Sequence, residues 1–194
     1  MRTATRTDIN EDQQDGIAVA IAGESWRAEG MAILGNDSLR PDAFRERGFA
    51  GYVERAFSSR VVLGLSALVT RADAALDTRS PALRQAYGLT ARVLPWTPLV
   101  LSAEIDALVS VPLGNASLTA GHAGWLQSDL EVLRGVHLVS AAEHLGSPAG
   151  GASGWWGGVA WFIVPHLDVR GDLIRRSSDS ATTDTFLIQV NGYL

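Results

Sequence analysis

Cysteine is absent from the 194 residues. That removes disulfides, thiolate metal centres and cysteine nucleophiles together. Lysine is absent too, so all 16 basic residues are arginines, and the formal net charge is -5. A chain of that sign lacks the basic surface that follows a phosphate backbone, and nucleic acid is excluded as an expected partner. No apolar run approaches the roughly 18 residues of a membrane helix. The longest, such as Val159 to Pro165, are far shorter. Helical membrane proteins are thereby excluded, but a β-barrel is not, because its strands need only about 9–11 residues, half of them apolar. Residues 1–15 (MRTATRTDINEDQQD) contain no apolar h-region, so no secretory leader is legible there. GxSxG, P-loop, Rossmann and HExxH patterns are all missing. The four histidines (His122, His137, His144, His166) follow no zinc spacing. No cofactor, no metal and no catalytic residue is assigned, and the expectation is a protein that is not an enzyme.

What is present is turn-formers and alternation. Glycine (20) and proline (7) are spread along the chain, which suits many turns and few helices. Between the turns the period is two. Leu99, Leu101, Ala103, Ile105 and Ala107 share one face of a strand, and Val100, Ser102, Glu104 and Asp106 the other. Val61, Leu63, Leu65, Ala67 and Val69 oppose Arg60, Gly64, Ser66 and Thr70. Tyr87, Leu89, Ala91 and Val93 oppose Thr90 and Arg92, with Gln85 interrupting the apolar face near one end. The pattern recurs at Leu126 to Val132, Leu167 to Leu173 and Phe186 to Val190.

This alternation predicts about eleven strands: 16–24, 27–35, 47–57, 60–72, 82–94, 98–109, 120–132, 136–146, 153–164, 167–177 and 184–193. Their connections interleave strictly. Short ones lie at 23–26, 58–59, 94–97, 134–135 and 165–166, and long polar ones at 36–47, 72–81, 112–119, 146–153 and 177–184. The loop from Asn36 to Arg47 has room for one helical turn after Pro41. Short periplasmic turns alternating with long external loops characterise outer-membrane barrels. The predicted class is therefore all-β, an antiparallel up-and-down transmembrane β-barrel, with residues 1–15 a disordered or external-loop tail and 16–194 barrel wall. By the same rule the first strand starts on the outside. An odd count starting there, together with the missing leader, leads to the expectation that further strands precede residue 1.

The polar faces carry Glu54, Arg84, Arg92, Glu104, Asp106, Asp129, Glu131, Glu143, Asp168, Arg170 and Asp172. In a barrel these line a wet lumen, where charge sets selectivity. In a soluble sheet they would be the solvated side. Period alone fits both, because a soluble ligand- or lipid-binding β-barrel has the same pattern turned inside out. Trp26, Trp96, Tyr52, Tyr87, Trp125, Trp155, Trp156 and Tyr193 are read as interfacial girdles at the strand ends. A barrel hydrolase is the third alternative, left open by His144 and His166 near the strand ends.

Three segments carry a family resemblance: Arg92 to Glu104 (RVLPWTPLVLSAE), Gln127 to Glu143 (QSDLEVLRGVHLVSAAE) and Trp161 to Asp172 (WFIVPHLDVRGD). Ala32 to Gly51 and the ending QVNGYL fit with them. Together they resemble porin-type outer-membrane β-barrel proteins of Gram-negative bacteria, in particular the C-terminal part of large barrels from myxobacteria. The resemblance implies outer-membrane location, lipid as the partner of the apolar face and insertion by the barrel-assembly machinery. It also implies a transport or pore role, with self-association left open. The final strand would act as the insertion signal, although such strands commonly end in Phe and this one ends in Leu194.

Overall fold

The computed structural model describes residues 15–35, 46–74, 80–113, 117–148 and 150–192. Eleven strands run in chain order: β1 (Asp15–Ala22), β2 (Trp26–Gly35), β3 (Arg47–Ser58), β4 (Val61–Ala72), β5 (Ala82–Trp96), β6 (Leu99–Pro112), β7 (Thr119–Leu133), β8 (Val136–Ser147), β9 (Gly150–Val164), β10 (Leu167–Ser178) and β11 (Thr182–Gly192). Each pairs antiparallel with the next in one sheet ordered β1 to β11. The predicted class and strand count hold, with strand ends shifted by up to three residues. The largest shift at a strand start is in β9, which begins at Gly150 rather than at residue 153 because Gly150, Gly151 and Ala152 extend the ladder against Ser147, Gly146 and Leu145. The tail expected over 1–15 lies, apart from Asp15, outside the described residues, as do the turn after Pro41 and Tyr193.

The expected sorting of connections holds only in part: residues 36–46, 73–81 and 113–118 form long connections on one side of the sheet, but on that same side β8–β9 (148–149) and β10–β11 (179–181) close as tightly as the turns opposite, because the strands extend into the segments expected as loops. On the short side the hairpins are tight and continuous with their neighbours. Register shifts sit beside the β3–β4, β5–β6, β7–β8 and β9–β10 turns. Bulges of this kind increase the local twist that a curved sheet needs. Backbone bonds then tie three of the short turns to the next hairpin: Ala56 N donates to Ser25 O, Leu94 N to Arg60 O and Phe162 N to Gly135 O. Gly135 has φ 76°, a left-handed conformation that the two-residue Arg134–Gly135 turn requires and a side chain resists.

Directly paired residues point to the same side, so the registers divide every strand into two faces. One face collects Ile17, Val19, Phe49, Val53, Leu63, Leu65, Leu89, Leu101, Ile105, Leu126, Leu138, Val159, Leu173, Phe186 and Ile188. It is the more open face: Ile105 is 65% and Ile188 63% exposed, whereas Asp168, Asp172 and Glu143 on the other are each 5% exposed. A soluble barrel or sandwich would show the reverse, with aliphatic side chains sealed inside and carboxylates outermost. The apolar face is thus outward and the charged face inward.

One glycine on the inward face is fixed by contact. A Cβ on Gly48 would lie 2.0 Å from the Val69 carbonyl oxygen and 2.8 Å from Thr70 Cα, both backbone. At Gly30, on the outward face, nothing lies within 4 Å. Gly48→Ala is expected to destabilise the barrel by about 1–3 kcal/mol, as overpacking against rigid backbone does. Gly30→Ala should leave the denaturant midpoint within about 0.5 kcal/mol of wild type. Urea titration of the folded protein in detergent compares the two, and equal midpoints would remove the contact argument.

Candidate functional site: the charged face of the sheet

All eleven residues expected on the polar faces fall on the inward side of the register. One row crosses the sheet as Arg27, Glu54, Gly64, Thr90, Glu104, Trp125, Glu143 and Gly154. Its neighbour on the long-loop side runs Glu29, Tyr52, Ser66, Gly88, Asp106 and Ala123. Nearer the short turns lie Val100, Asp129, Val139, Gly158 and Asp172, and then Glu131, His137, Ala160 and Arg170. Carboxylates outnumber guanidinium groups across these rows.

Glycines in the rows form notches for polar side chains from adjacent strands. A Cβ at Gly88 would meet Asp106 Oδ1 at 2.4 Å, at Gly154 Glu143 Oε1 at 2.6 Å, and at Gly158 Asp172 Oδ1 at 2.2 Å. Gly64 accommodates Thr90 and the Tyr52 ring in the same way. Side chains lie flat across these gaps and hold one another. Tyr52 donates its hydroxyl to Glu54 Oε2 at 2.7 Å, and Arg170 Nε donates to Asp172 Oδ2 at 2.7 Å. His137 Nδ1 and Asp129 Oδ1 are 2.7 Å apart, Asn191 Nδ2 donates to Asp168 Oδ2 at 2.9 Å, and Glu131 accepts the Gly135 amide at 2.9 Å. In the middle of the face a concavity of about 220 Å³ is lined by Tyr52, Glu54, Thr90, Arg92, Glu104 and Trp125.

A second inward cluster sits at the long-loop end. Glu46, immediately before β3, is 5% exposed and Thr70 1%. Glu46 accepts the Thr70 hydroxyl and takes a hydrogen bond from Arg84 Nη1 at 2.8 Å. The base of the 36–47 connection is therefore fastened against the inward face of β4 and β5.

The aromatic side chains divide between the faces. Trp26, Tyr87 and Trp155 are on the outward face by register and roughly half exposed, and the exposed Trp96 pairs with outward Leu99. Tyr52 and Trp125 line the inward concavity, and Trp156, paired with Ala141, is inward as well. These three do not sit where a lipid-facing girdle would need them. Trp155 and Trp156 are consecutive strand residues, so they point to opposite sides. Trp161, outward and 50% exposed, takes the place on the short-turn side that the girdle reading missed. Among the described residues no group of three or more His, Cys, Asp or Glu side chains is arranged to hold a metal ion.

No family model matches the sequence, and a search of curated proteins returns no match. Solved structures do match. OmpT of Vibrio cholerae, expressed in the outer membrane, aligns with a TM-score of 0.73 at 11% identity, over 92% of this chain and 62% of that one. The in-vitro folded trimer form of the Vibrio cholerae protein aligns with a TM-score of 0.73 at 12% identity, over 98% and 65%. An anion-selective porin from Comamonas acidovorans gives 0.69 at 13% identity, over 92% and 54%. The chain has the fold of an outer-membrane β-barrel. It spans less than two thirds of the length of each of these chains, and at such identities the likeness concerns the fold alone.

Proposed function

We propose that this chain forms part of the wall of an outer-membrane pore, with lipid on its apolar face and an aqueous conduit along its charged face. The carrying observation is where charge stops. On the outward face Arg47, Arg55, Arg71, Arg175 and Asp184 all fall within four residues of a strand end. On the inward face Glu104 and Asp106 occupy the middle of β6 and Arg92 lies well within β5. An uncharged outward belt between charged and aromatic margins fits a hydrocarbon slab, in which a midplane charge is costly. Charge at the same height inside fits water.

In this reading the long-loop side faces the exterior and the short turns the periplasm. Insertion uses the barrel-assembly machinery. The free edges of β1 and β11, unjoined to each other among the described residues, complete a ring with further strands, because an open edge in lipid leaves backbone groups unsatisfied at several kcal/mol each. The wall does no bond-making chemistry along its inner face. It selects by charge and width.

The purified intact protein is expected to conduct in planar bilayers, and a folded preparation that does not would sink the conduit reading. The pair Glu104→Gln with Asp106→Asn removes two carboxylates at mid-height. It should move the reversal potential in a salt gradient towards anions without lowering folding yield. An unchanged potential would mean that these carboxylates do not face the permeation path.

A further inference from the structure

The outward face is apolar through its middle, but at the long-loop end of β7 to β9 it carries a compact polar group that the conduit does not use. Ser153 on β9 and His144 on β8 are directly paired, and Ser153 Oγ lies 2.9 Å from His144 Nδ1. His122 on β7 stands beside them, its ring centroid 5.5 Å from that of His144 with the planes tilted by 40°. Space for the His122 ring comes from Gly146, where a Cβ would meet the ring at 2.4 Å. All three side chains are exposed. The strand end beside them is held, since Gly151 N donates to Asp179 Oδ2 at 3.0 Å and Ser147 Oγ to the Gly150 carbonyl at 2.9 Å.

Depth makes this group more than a surface hydrogen bond. Ser153 and His144 are each three residues from the ends of their strands at Gly150 and Ser147. With a rise of about 3.3 Å per residue and a tilt of about 40°, that places them roughly 8 Å below the strand ends. Trp155, the next outward residue of β9, is 47% exposed and pairs with Arg175. Arg175 in turn forms two hydrogen bonds with Asp184, at 2.8 and 2.9 Å. An amphipathic indole beside an ion pair marks the border between headgroups and hydrocarbon. With the apolar face in lipid, Ser153 and His144 would fall on the headgroup side of that border, since both lie nearer the strand ends than Trp155.

We infer that Ser153 and His144 form a nucleophile–base pair that cleaves acyl esters of membrane lipid from the outer surface of the barrel. The inference rests on the apolar face lying in lipid, as proposed above. With the His144 proton on Nε2, Nδ1 is free to act as base. Ser153 Oγ attacks the ester carbonyl carbon while its proton passes to His144 Nδ1. The carbon–oxygen bond to the alcohol then breaks, and the alcohol leaves with that proton. Water, deprotonated through the same nitrogen, hydrolyses the acyl–Ser153 ester to release the fatty acid and restore the hydroxyl. His122 is the neighbouring imidazole on the same surface.

The test uses the intact protein, folded in detergent, with a reporter-tagged fluorophosphonate and with phospholipid in mixed micelles. A folded barrel is confirmed beforehand by its heat-modifiable electrophoretic mobility, so loss of the barrel reading and loss of the catalytic one are told apart. Expected are covalent labelling of Ser153, release of fatty acid, loss of both in Ser153→Ala, and a fall on the order of 100-fold in His144→Asn. Ser128→Ala is the control. Ser128 is also an outward serine, but its hydroxyl meets that of Ser140 at 2.9 Å and no histidine. Folded wild type that is neither labelled nor releases fatty acid overturns the inference. So does labelling that persists in Ser153→Ala, or labelling without phospholipid turnover.

Discussion

Arginine in place of Ile105 is expected to cost the folded barrel about 2–4 kcal/mol, the penalty of a cationic side chain at the midplane of a lipid-facing strand. Ile105 is the seventh of fourteen residues in β6. It is 65% exposed and pairs with outward Leu89 and Gly124. Its nearest charges along the chain, Glu104 and Asp106, point to the other side, so the new guanidinium finds neither a counter-ion nor water. The neighbouring change Glu104→Arg inverts a charge on the inward face and should cost far less, because a lumen hydrates it. The two variants differ by one position and two opposite environments. Unfolding by urea in lipid vesicles, followed by tryptophan fluorescence, reads the difference directly. Equal losses at both positions would mean that the faces do not meet different solvents, and the membrane reading would fall with them.

That contrast was readable from the sequence because it depends only on period two. Alternation from Leu99 to Ala107 assigns Glu104 and Ile105 to opposite faces before any partner strand is known. The sorting of short and long connections points to the up-and-down order, although in the fold only β2–β3, β4–β5 and β6–β7 keep long ones on their side. Period two also contained the answer that the aromatic reading overlooked. Trp125 precedes Leu126, Tyr52 precedes Val53 and Trp156 follows Trp155, so each of the three is inward by parity. Proximity to a strand end was the weaker guide, since a girdle needs the right depth and the right face together.

Other features needed register and were not legible. That Gly88 faces Asp106, Gly154 faces Glu143 and Gly158 faces Asp172 follows from pairings set by hairpin geometry and by bulges at the short turns, and the sequence spaces these partners 11 to 18 positions apart. The extended start of β9 was hidden because Gly150-Gly151-Ala152 has the composition of a loop, and only its ladder to β8 draws it into the sheet. The pairing of Ser153 with His144 has the same origin. In the sequence His144 stands out as a candidate, but Ser153 sits at a loop boundary.

Glu46 is the residue that sequence reading had least reason to select, and its removal or isolation has the second large expected effect. In the sequence it belongs to a polar connection. In the fold its side chain is nearly closed to water and joins Thr70 on β4 to Arg84 on β5. Arg84→Ala leaves that carboxylate without its guanidinium partner in a place where it is poorly hydrated. The expected loss is on the order of 3 kcal/mol, at the lower end for a broken buried pair because the Arg84 side chain keeps 26% of its surface exposed. Glu46→Ala should cost less, since Arg84 extends to water more easily than Glu46 does. The double variant should be more stable than Arg84→Ala alone, a coupling of at least about 1 kcal/mol measured by a double-mutant cycle in urea. Hydrogen exchange at Arg47, Gly48 and Phe49 should accelerate in each variant, because β3 loses the contact that fixes its first residues. Additive effects with unchanged exchange would reduce the cluster to a surface ion pair and leave the start of β3 held by its ladders to β2 and β4.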